Sequence, residues 1–208
     1  MPSDARRRSA LHPARRGSDL PPRPPSVVLP PRVYLTGFMA AGKSAVGPFL
    51  ADRLGYRFVD LDWLVEARTG RTVPALFAEG GEAAFRDAES DALVETARGE
   101  NVVVATGGGA LVDPANLRTA RAAGVVVWLR ASVETTLARL GSAAGRPLLA
   151  DRAGRPLQGE ALDQRVRALL AEREPFYAQA DLVLDTDGAP DAVARVAAEA
   201  LRTWPGRL

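Results

Sequence analysis

Residues 37–44 read Gly37-Phe38-Met39-Ala40-Ala41-Gly42-Lys43-Ser44 and fit the phosphate-loop pattern G-x-x-x-x-G-K-[ST]. Both flanks have the character such a loop needs. Arg32-Val33-Tyr34-Leu35-Thr36 before it reads as a short buried strand. Ser44 to Leu54 after it reads as a helix with an apolar face through Val46, Phe49, Leu50 and Leu54. The glycines let backbone wrap an anion without side-chain clashes. Successive N–H groups and the positive end of the helix then face the phosphates of a nucleotide. Lys43 can reach the outer phosphates, and the Ser44 hydroxyl can ligate Mg²⁺.

Of the 27 lysine and arginine residues only one is lysine, and it is Lys43. The chain uses arginine almost everywhere a cation is wanted but keeps a compact ammonium here. A point charge on a flexible stem suits a crowded phosphate better than a planar guanidinium fork does.

Composition excludes much else. At 208 residues the chain has a one-domain length with room for a substantial core. No apolar run approaches the length of a membrane span. There is no cysteine, hence no disulfide framework and no thiolate metal site, which says little of compartment beyond agreeing with a reducing one; the expected location is cytoplasmic. The single histidine, His12, lies in the N-terminal arm, so the folded region holds no His–Ser or His–Cys pair and no His-based zinc site. A Schiff-base lysine is disfavoured because the one lysine already has a phosphate to meet. The arginines concentrate in residues 1–32, and the remainder is slightly acidic, without the cationic face of a nucleic-acid binder.

Residues 1–31 are rich in Arg, Pro, Ser and Ala and cannot bury a core; they are expected to be a disordered or extended arm ahead of a domain over 32–208. Within that domain Arg57-Phe58-Val59 reads as a second strand, ending at Asp60-Leu61-Asp62. A helix closed by Gly70 follows. Two carboxylates at the carboxyl end of a strand sit where α/β sheets hold ligands, and i, i+2 spacing in extended chain points them the same way. One of them can also cap the helix. Thr72 to Arg98 reads as two helical segments broken at Gly80-Gly81; Arg86 lies off the apolar face, with Glu82 four residues before it.

Asn101 to Ala105 is a β-branched run typical of a central parallel strand, and it ends in Thr106-Gly107-Gly108-Gly109. No aspartate closes this strand, so a metal-directed carboxylate must come from elsewhere, with Asp60 the obvious supplier. Three glycines exceed what a turn needs and let a ligand approach bare backbone. Asp113-Pro114 starts a helix, Val125 to Leu129 is a fourth strand, and Ser132 to Leu140 a further helix. The Gly/Arg/Pro segment over about 141–159 has the composition of a mobile lid. Leu162, Val166, Leu169 and Leu170 mark a helix expected to stop at Pro175. Leu182-Val183-Leu184 is a last strand, and Asp191 to Arg202 a last amphipathic helix. Strands alternate with helices throughout, which predicts a three-layer α/β/α sandwich on a parallel sheet.

Taken together, Gly37–Ser44, Phe58-Val59-Asp60-Leu61-Asp62 with Glu66, Gly80 to Arg86, Gly107-Gly108-Gly109, Arg146-Pro147-Leu148-Leu149 and Arg173-Glu174-Pro175-Phe176-Tyr177 resemble the shikimate kinase family, from about Val33 to Ala200. The resemblance implies a P-loop fold like that of nucleoside-monophosphate kinases, with a five-stranded sheet of order 2-3-1-4-5. It implies ATP-dependent phosphorylation of the 3-hydroxyl of shikimate, on the route to chorismate and aromatic amino acids. By the same resemblance Gly37, Ala40, Ala41, Gly42, Lys43, Ser44, Ala45, Arg139 and Arg146 meet ATP, with Arg139 near adenine. Asp62, Arg86, Gly107, Gly108, Gly109 and Arg173 hold shikimate. Mg²⁺ is bound by Ser44 directly and by Asp60 through water, and Lys43, Asp62 and Arg146 carry the chemistry. Ala45 stands where the family commonly has Thr. The lid is longer than in compact members and contains a second Gly-Arg-Pro-Leu at 154–157, so either Arg146 or Arg155 can be its arginine; the spacing from Arg139 and the following Leu148-Leu149 favour Arg146. Size and the lack of a heptad pattern favour a monomer. A gluconate-type kinase is the alternative enzyme, against which the triple glycine speaks. A guanine-nucleotide switch has no Asn-Lys-x-Asp motif available to it.

Overall fold

The computed structural model describes residues 29–206. Five strands, β1 (Arg32–Thr36), β2 (Arg57–Asp60), β3 (Val102–Ala105), β4 (Val125–Arg130) and β5 (Leu182–Asp185), pair in parallel in the order β2-β3-β1-β4-β5. Seven α-helices join them: α1 (Lys43–Leu54), α2 (Leu61–Thr69), α3 (Val73–Thr96), α4 (Pro114–Ala123), α5 (Val133–Leu140), α6 (Gly159–Tyr177) and α7 (Pro190–Thr203). Side chains alternate across the pleat. Val33, Leu35, Val103, Val127 and Leu129 face Leu50 of α1 and Ala194 and Leu201 of α7. Tyr34, Val104 and Val126 face Leu61, Phe85, Leu93 and Leu117 on the other side. Both faces are covered, which is why the strand sequences read as continuous apolar runs. A third cluster, with Phe38, Trp128, Leu149, Val166 and Tyr177, lies beneath α5 and α6.

The topology puts the carboxyl ends of β1, β2 and β3 side by side, and the residues that follow each converge. Between β1 and its neighbours the strand order reverses, the position where open α/β sheets hold ligands.

Several expectations change in detail. Phe49 is 48% exposed and outside the core. Gly47 faces the Phe58 ring so closely that an added Cβ would come within 2.2 Å of it, and this turns the inward stripe of α1 to Val46, Gly47, Leu50 and Ala51. Asn101 has φ 54° and precedes β3 rather than belonging to it. Helix α6 runs through Pro175 to Tyr177, because a proline in the last turn forgoes only its own N–H bond while Ala178 N–H still reaches Glu174 O at 2.9 Å. The break expected at Gly80-Gly81 is present: Gly81, with φ 71° and ψ −172°, divides α3 into two limbs at a kink.

The 141–159 segment is more ordered than a loose loop. Ala150 bridges Pro156, and the Asp151 carboxylate accepts the N–H groups of Ala153 and Arg155, both at 2.9 Å. Of the N-terminal arm, residues 1–28 lie outside the described residues. Pro30 is buried, and its carbonyl accepts the Tyr56 hydroxyl at 2.9 Å.

Candidate active site

The loop after β1 is held in a shape its sequence requires. Gly37 has φ 138°, and a Cβ there would lie 2.4 Å from Leu129 O; Gly42 has φ 101° at the start of α1. Ala40 also has positive φ, 59°. Lys43 is 9% exposed, and its Nζ donates to Gly37 O at 2.8 Å and Phe38 O at 2.9 Å, which curls the loop around the ammonium. Burial pulls the Lys43 pKa down to about 8, with Asp62 and then Asp60 pulling the other way.

The two aspartates are arranged differently from an extended pair. Asp60 ends β2 and caps α2, accepting Asp62 N–H at 3.1 Å, while Asp62 already belongs to the first helical turn. They still converge on one site: Asp60 meets Ser44 of the phosphate loop, and Asp62 lines the cavity beside that loop. Ser44 Oγ donates to Asp60 Oδ2 at 2.5 Å. Asp62 Oδ1 is buried and has no hydrogen-bond partner among the described residues. Burial raises the Asp62 pKa and Asp60 adds to this, while Lys43 and Arg86 oppose it.

Arg86, from the second limb of α3, reaches Glu82 at 2.9 Å and Glu89 at 2.6 Å. Glu89 is wholly buried, and burial raises its pKa despite Arg86. Arg173, on α6, is 7% exposed, with its guanidinium 5.8 Å from the Phe38 ring centre. Side chains at Gly107 and Gly109 would crowd these groups, and Gly108 lies tight against the phosphate loop, where an added Cβ would be 3.3 Å from Gly37 O and Met39 N. A Cβ at Gly107 would fall 2.1 Å from Glu89 Oε1, one at Gly108 3.6 Å from Arg173 Nη1, and one at Gly109 2.6 Å from Arg86 Nη2.

A cavity of about 210 Å³ is lined by Asp62, Arg86, Glu89, the three glycines, Arg146 and Arg173, together with Met39, Phe77 and Phe85. A second, of about 140 Å³, lies beside the start of α1, where Gly42 and Ala45 meet Arg139, Thr186, Gly188 and Pro190. Arg139 is held there by the Thr186 carbonyl. Arg146 lines the first cavity and donates to Ser142 O at 2.6 Å, whereas Arg155 is turned outward onto Asp151 at 2.8 Å.

The sequence-derived candidates thus gather at one end of the sheet, and only Arg155 stands apart. Glu89, Thr186, Gly188 and Pro190 were not among those candidates. Glu89 carried one signal, its i, i+3 spacing from Arg86.

Mg²⁺ can be tested against the donors present. Ser44 Oγ and Asp60 Oδ2 already lie within hydrogen-bond distance of each other, so one ion could take the hydroxyl directly and the carboxylate through water. Among the described residues no cluster of three or more His, Cys, Asp or Glu side chains could hold a metal alone. Mg²⁺ keeps several waters and draws other ligands from substrate phosphates, so the two oxygens of Ser44 and Asp60 are a donor set it can use. No described helix is long and apolar enough to cross a membrane.

The family model described as shikimate kinase matches residues 39–203. The shikimate kinase of Salinibacter ruber is 52% identical over 159 residues, covering 76% of this chain and 78% of that protein. The shikimate kinase of Moorella thermoacetica is 43% identical over 177 residues, 85% of this chain and 97% of that one. Among solved structures, the Acinetobacter baumannii shikimate kinase in complex with shikimate superposes with a TM-score of 0.75 at 37% identity, covering 82% of this chain and 92% of that chain.

Proposed function

The chain belongs to the shikimate kinase family, and on that premise we propose that it transfers the γ-phosphoryl group of ATP to the 3-hydroxyl of shikimate. The observation that carries this reading is the cavity beside the phosphate loop. It is lined by Asp62, whose carboxylate keeps one buried oxygen without a hydrogen-bond partner among the described residues, and by Arg86 and Arg173. A hydroxylated carboxylic acid satisfies both kinds of group. Its carboxylate takes the arginine forks, and a hydroxyl donates to Asp62.

In this reading Lys43 and the N–H groups from Gly37 to Ala45 hold the phosphates, and Arg139 covers the adenine in the second cavity. Phosphoryl transfer needs mainly positioning and charge neutralisation. Mg²⁺, when bound at Ser44 and, through water, at Asp60, supplies part of that neutralisation. Asp62 steadies the attacking hydroxyl and accepts its proton, a role helped by its raised pKa. Arg146, from the 141–159 lid, meets the transferring phosphoryl group while the lid excludes water that would otherwise hydrolyse ATP. Its place in the cavity wall supports it over Arg155 for this role. The protein works as a monomer in the cytoplasm.

ADP release measured with a panel of shikimate, gluconate and neutral polyols tests the assignment. Turnover should require shikimate. Shikimate-independent turnover, or a higher kcat/KM for gluconate, overturns it.

A further inference from the structure

The second Gly-Arg-Pro-Leu, residues 154–157, lies outside the two cavities described above and closes a hairpin in the 141–159 lid. Asp151 N–H reaches Arg155 O at 2.8 Å and Leu157 N–H reaches Leu149 O at 2.9 Å. The Arg155 guanidinium folds back onto the Asp151 carboxylate at 2.8 Å and is spent there. Arg152 stands in the turn of this hairpin. It is exposed, and among the described residues its side chain makes no hydrogen bond or ion pair.

A cleft of about 540 Å³ is lined by residues of α3 and of the lid alone, Arg152 among them. Among the described residues, Glu82 is the one carboxylate that α3 contributes to it. Glu82 Oε1 accepts both Nε and Nη2 of Arg86, at 3.3 and 2.9 Å, while Oε2 accepts no bond among the described residues. Half of the Glu82 side chain is exposed, so that second oxygen is open to a further cation. The lid offers the cleft two uncommitted guanidinium groups, and the reading above directs one of them, Arg146, to the phosphates. Arg152 is left for Glu82. The cleft also shares Phe77, Gly145, Arg146 and Pro147 with the cavity assigned to shikimate, so a substrate there lies between the same two elements.

We propose that Arg152 is a positioning residue that latches the lid: as the lid closes on bound substrates, its guanidinium takes Glu82 Oε2 while Oε1 keeps Arg86. The inference rests on the reading of that cavity as a shikimate site under a closing lid. One carboxylate then joins closure over the phosphates to the arginine at the acid end of the substrate. An ion pair in open water contributes little. Closure removes water from this one and strengthens it, so the latch biases the closed state and leaves the open state free to release product.

The test is a cycle of four proteins: wild type, Arg152→Glu, Glu82→Gln and the double variant. Arg152→Glu should lower kcat/KM for shikimate about tenfold, since repulsion replaces attraction, and Arg152→Lys should stay within about twofold of wild type. Glu82→Gln loosens Arg86 as well, and the cycle subtracts that effect. In its background the charge reversal should change kcat/KM by less than about twofold. An unaltered kcat/KM in Arg152→Glu overturns the proposal, as does an equal loss in the Glu82→Gln background. A loss confined to the KM for ATP also overturns it and puts Arg152 on the phosphates. Should the Glu82 variants not fold, the absence of native cysteine permits a direct measurement. Spin labels at Asp87→Cys and Ala153→Cys, both exposed positions outside the cleft lining, should approach each other when ADP and shikimate are added. Combined with Arg152→Glu, they should stay apart; equal approach in both proteins overturns the latch. A wild-type enzyme whose turnover ignores shikimate would instead remove the underlying reading.

Discussion

Lys43 is the only lysine, so the titration of its ammonium can be watched without interference from another lysine. Enclosure by the loop lowers its pKa from 10.5 to about 8 in the ligand-free protein. Bound phosphates place several negative charges against the ammonium and drive the value back up. Because the bound state then holds the proton more tightly than the unbound state, nucleotide affinity falls as pH climbs past about 8. With a pKa of about 8, Lys43 is roughly nine-tenths charged at pH 7 and one-tenth charged at pH 9. ADP binding should therefore weaken about tenfold between those values, or about 1.4 kcal/mol, and proton uptake on binding should approach one at the higher pH. Protein grown on lysine labelled with ¹³C at Cε gives one side-chain resonance to follow, and calorimetry in buffers of different ionisation enthalpy counts the protons. A resonance titrating near 10.5 without ligand, or ADP affinity flat from pH 7 to 9, would refute the reasoning.

Other perturbations test separate parts of the site. Asp62→Asn should lower kcat by about 10²–10⁴, the range general-base removal covers, with ADP affinity within about twofold in calorimetry; unchanged turnover contradicts the role. Arg86→Ala should raise the KM for shikimate by about 10–100-fold, since a charge-assisted hydrogen bond contributes about 1.5–3 kcal/mol. It also strands the buried Glu89 carboxylate, so the melting temperature should fall. Adding Glu89→Gln should recover much of the melting temperature but not the KM. Gly37→Ala puts a Cβ 2.4 Å from Leu129 O at φ 138°, and denaturant unfolding should report a loss of about 2 kcal/mol or more; a smaller change would mean the loop can relax.

What the chain discloses on paper follows from how local each feature is. The phosphate loop, the five strands and the Gly70 helix end depend on residues adjacent in sequence, and each appears where its pattern lies. Convergence of Arg86 with Asp62 and the glycine triplet is implied by the resemblance to the shikimate kinase family, not by spacing, which pairs Arg86 only with Glu82. Asp60 and Asp62 are legible from the strand end, although Asp62 reaches the site from a helical turn and not from extended chain. Thr186 and Pro190 come to Gly42 only because β4 and β5 are neighbours beside β1 in the sheet, and no local pattern encodes that. Phe49 was misjudged for a similar reason: periodicity gives a stripe, but contact between Gly47 and Phe58 sets which way the stripe faces. Pro175 as a helix stop weighed a missing N–H too heavily for a final turn.

The central claim is a hydroxyl of shikimate steadied by Asp62 in line with a triphosphate gripped by Lys43. Crystals grown with ADP, Mg²⁺ and shikimate measure it most directly. The 3-hydroxyl should lie within about 2.5–3.0 Å of an Asp62 carboxylate oxygen, with the substrate carboxylate on Arg86 and Arg173. Shikimate bound elsewhere, or turned so that its carboxylate faces Asp62, would contradict it.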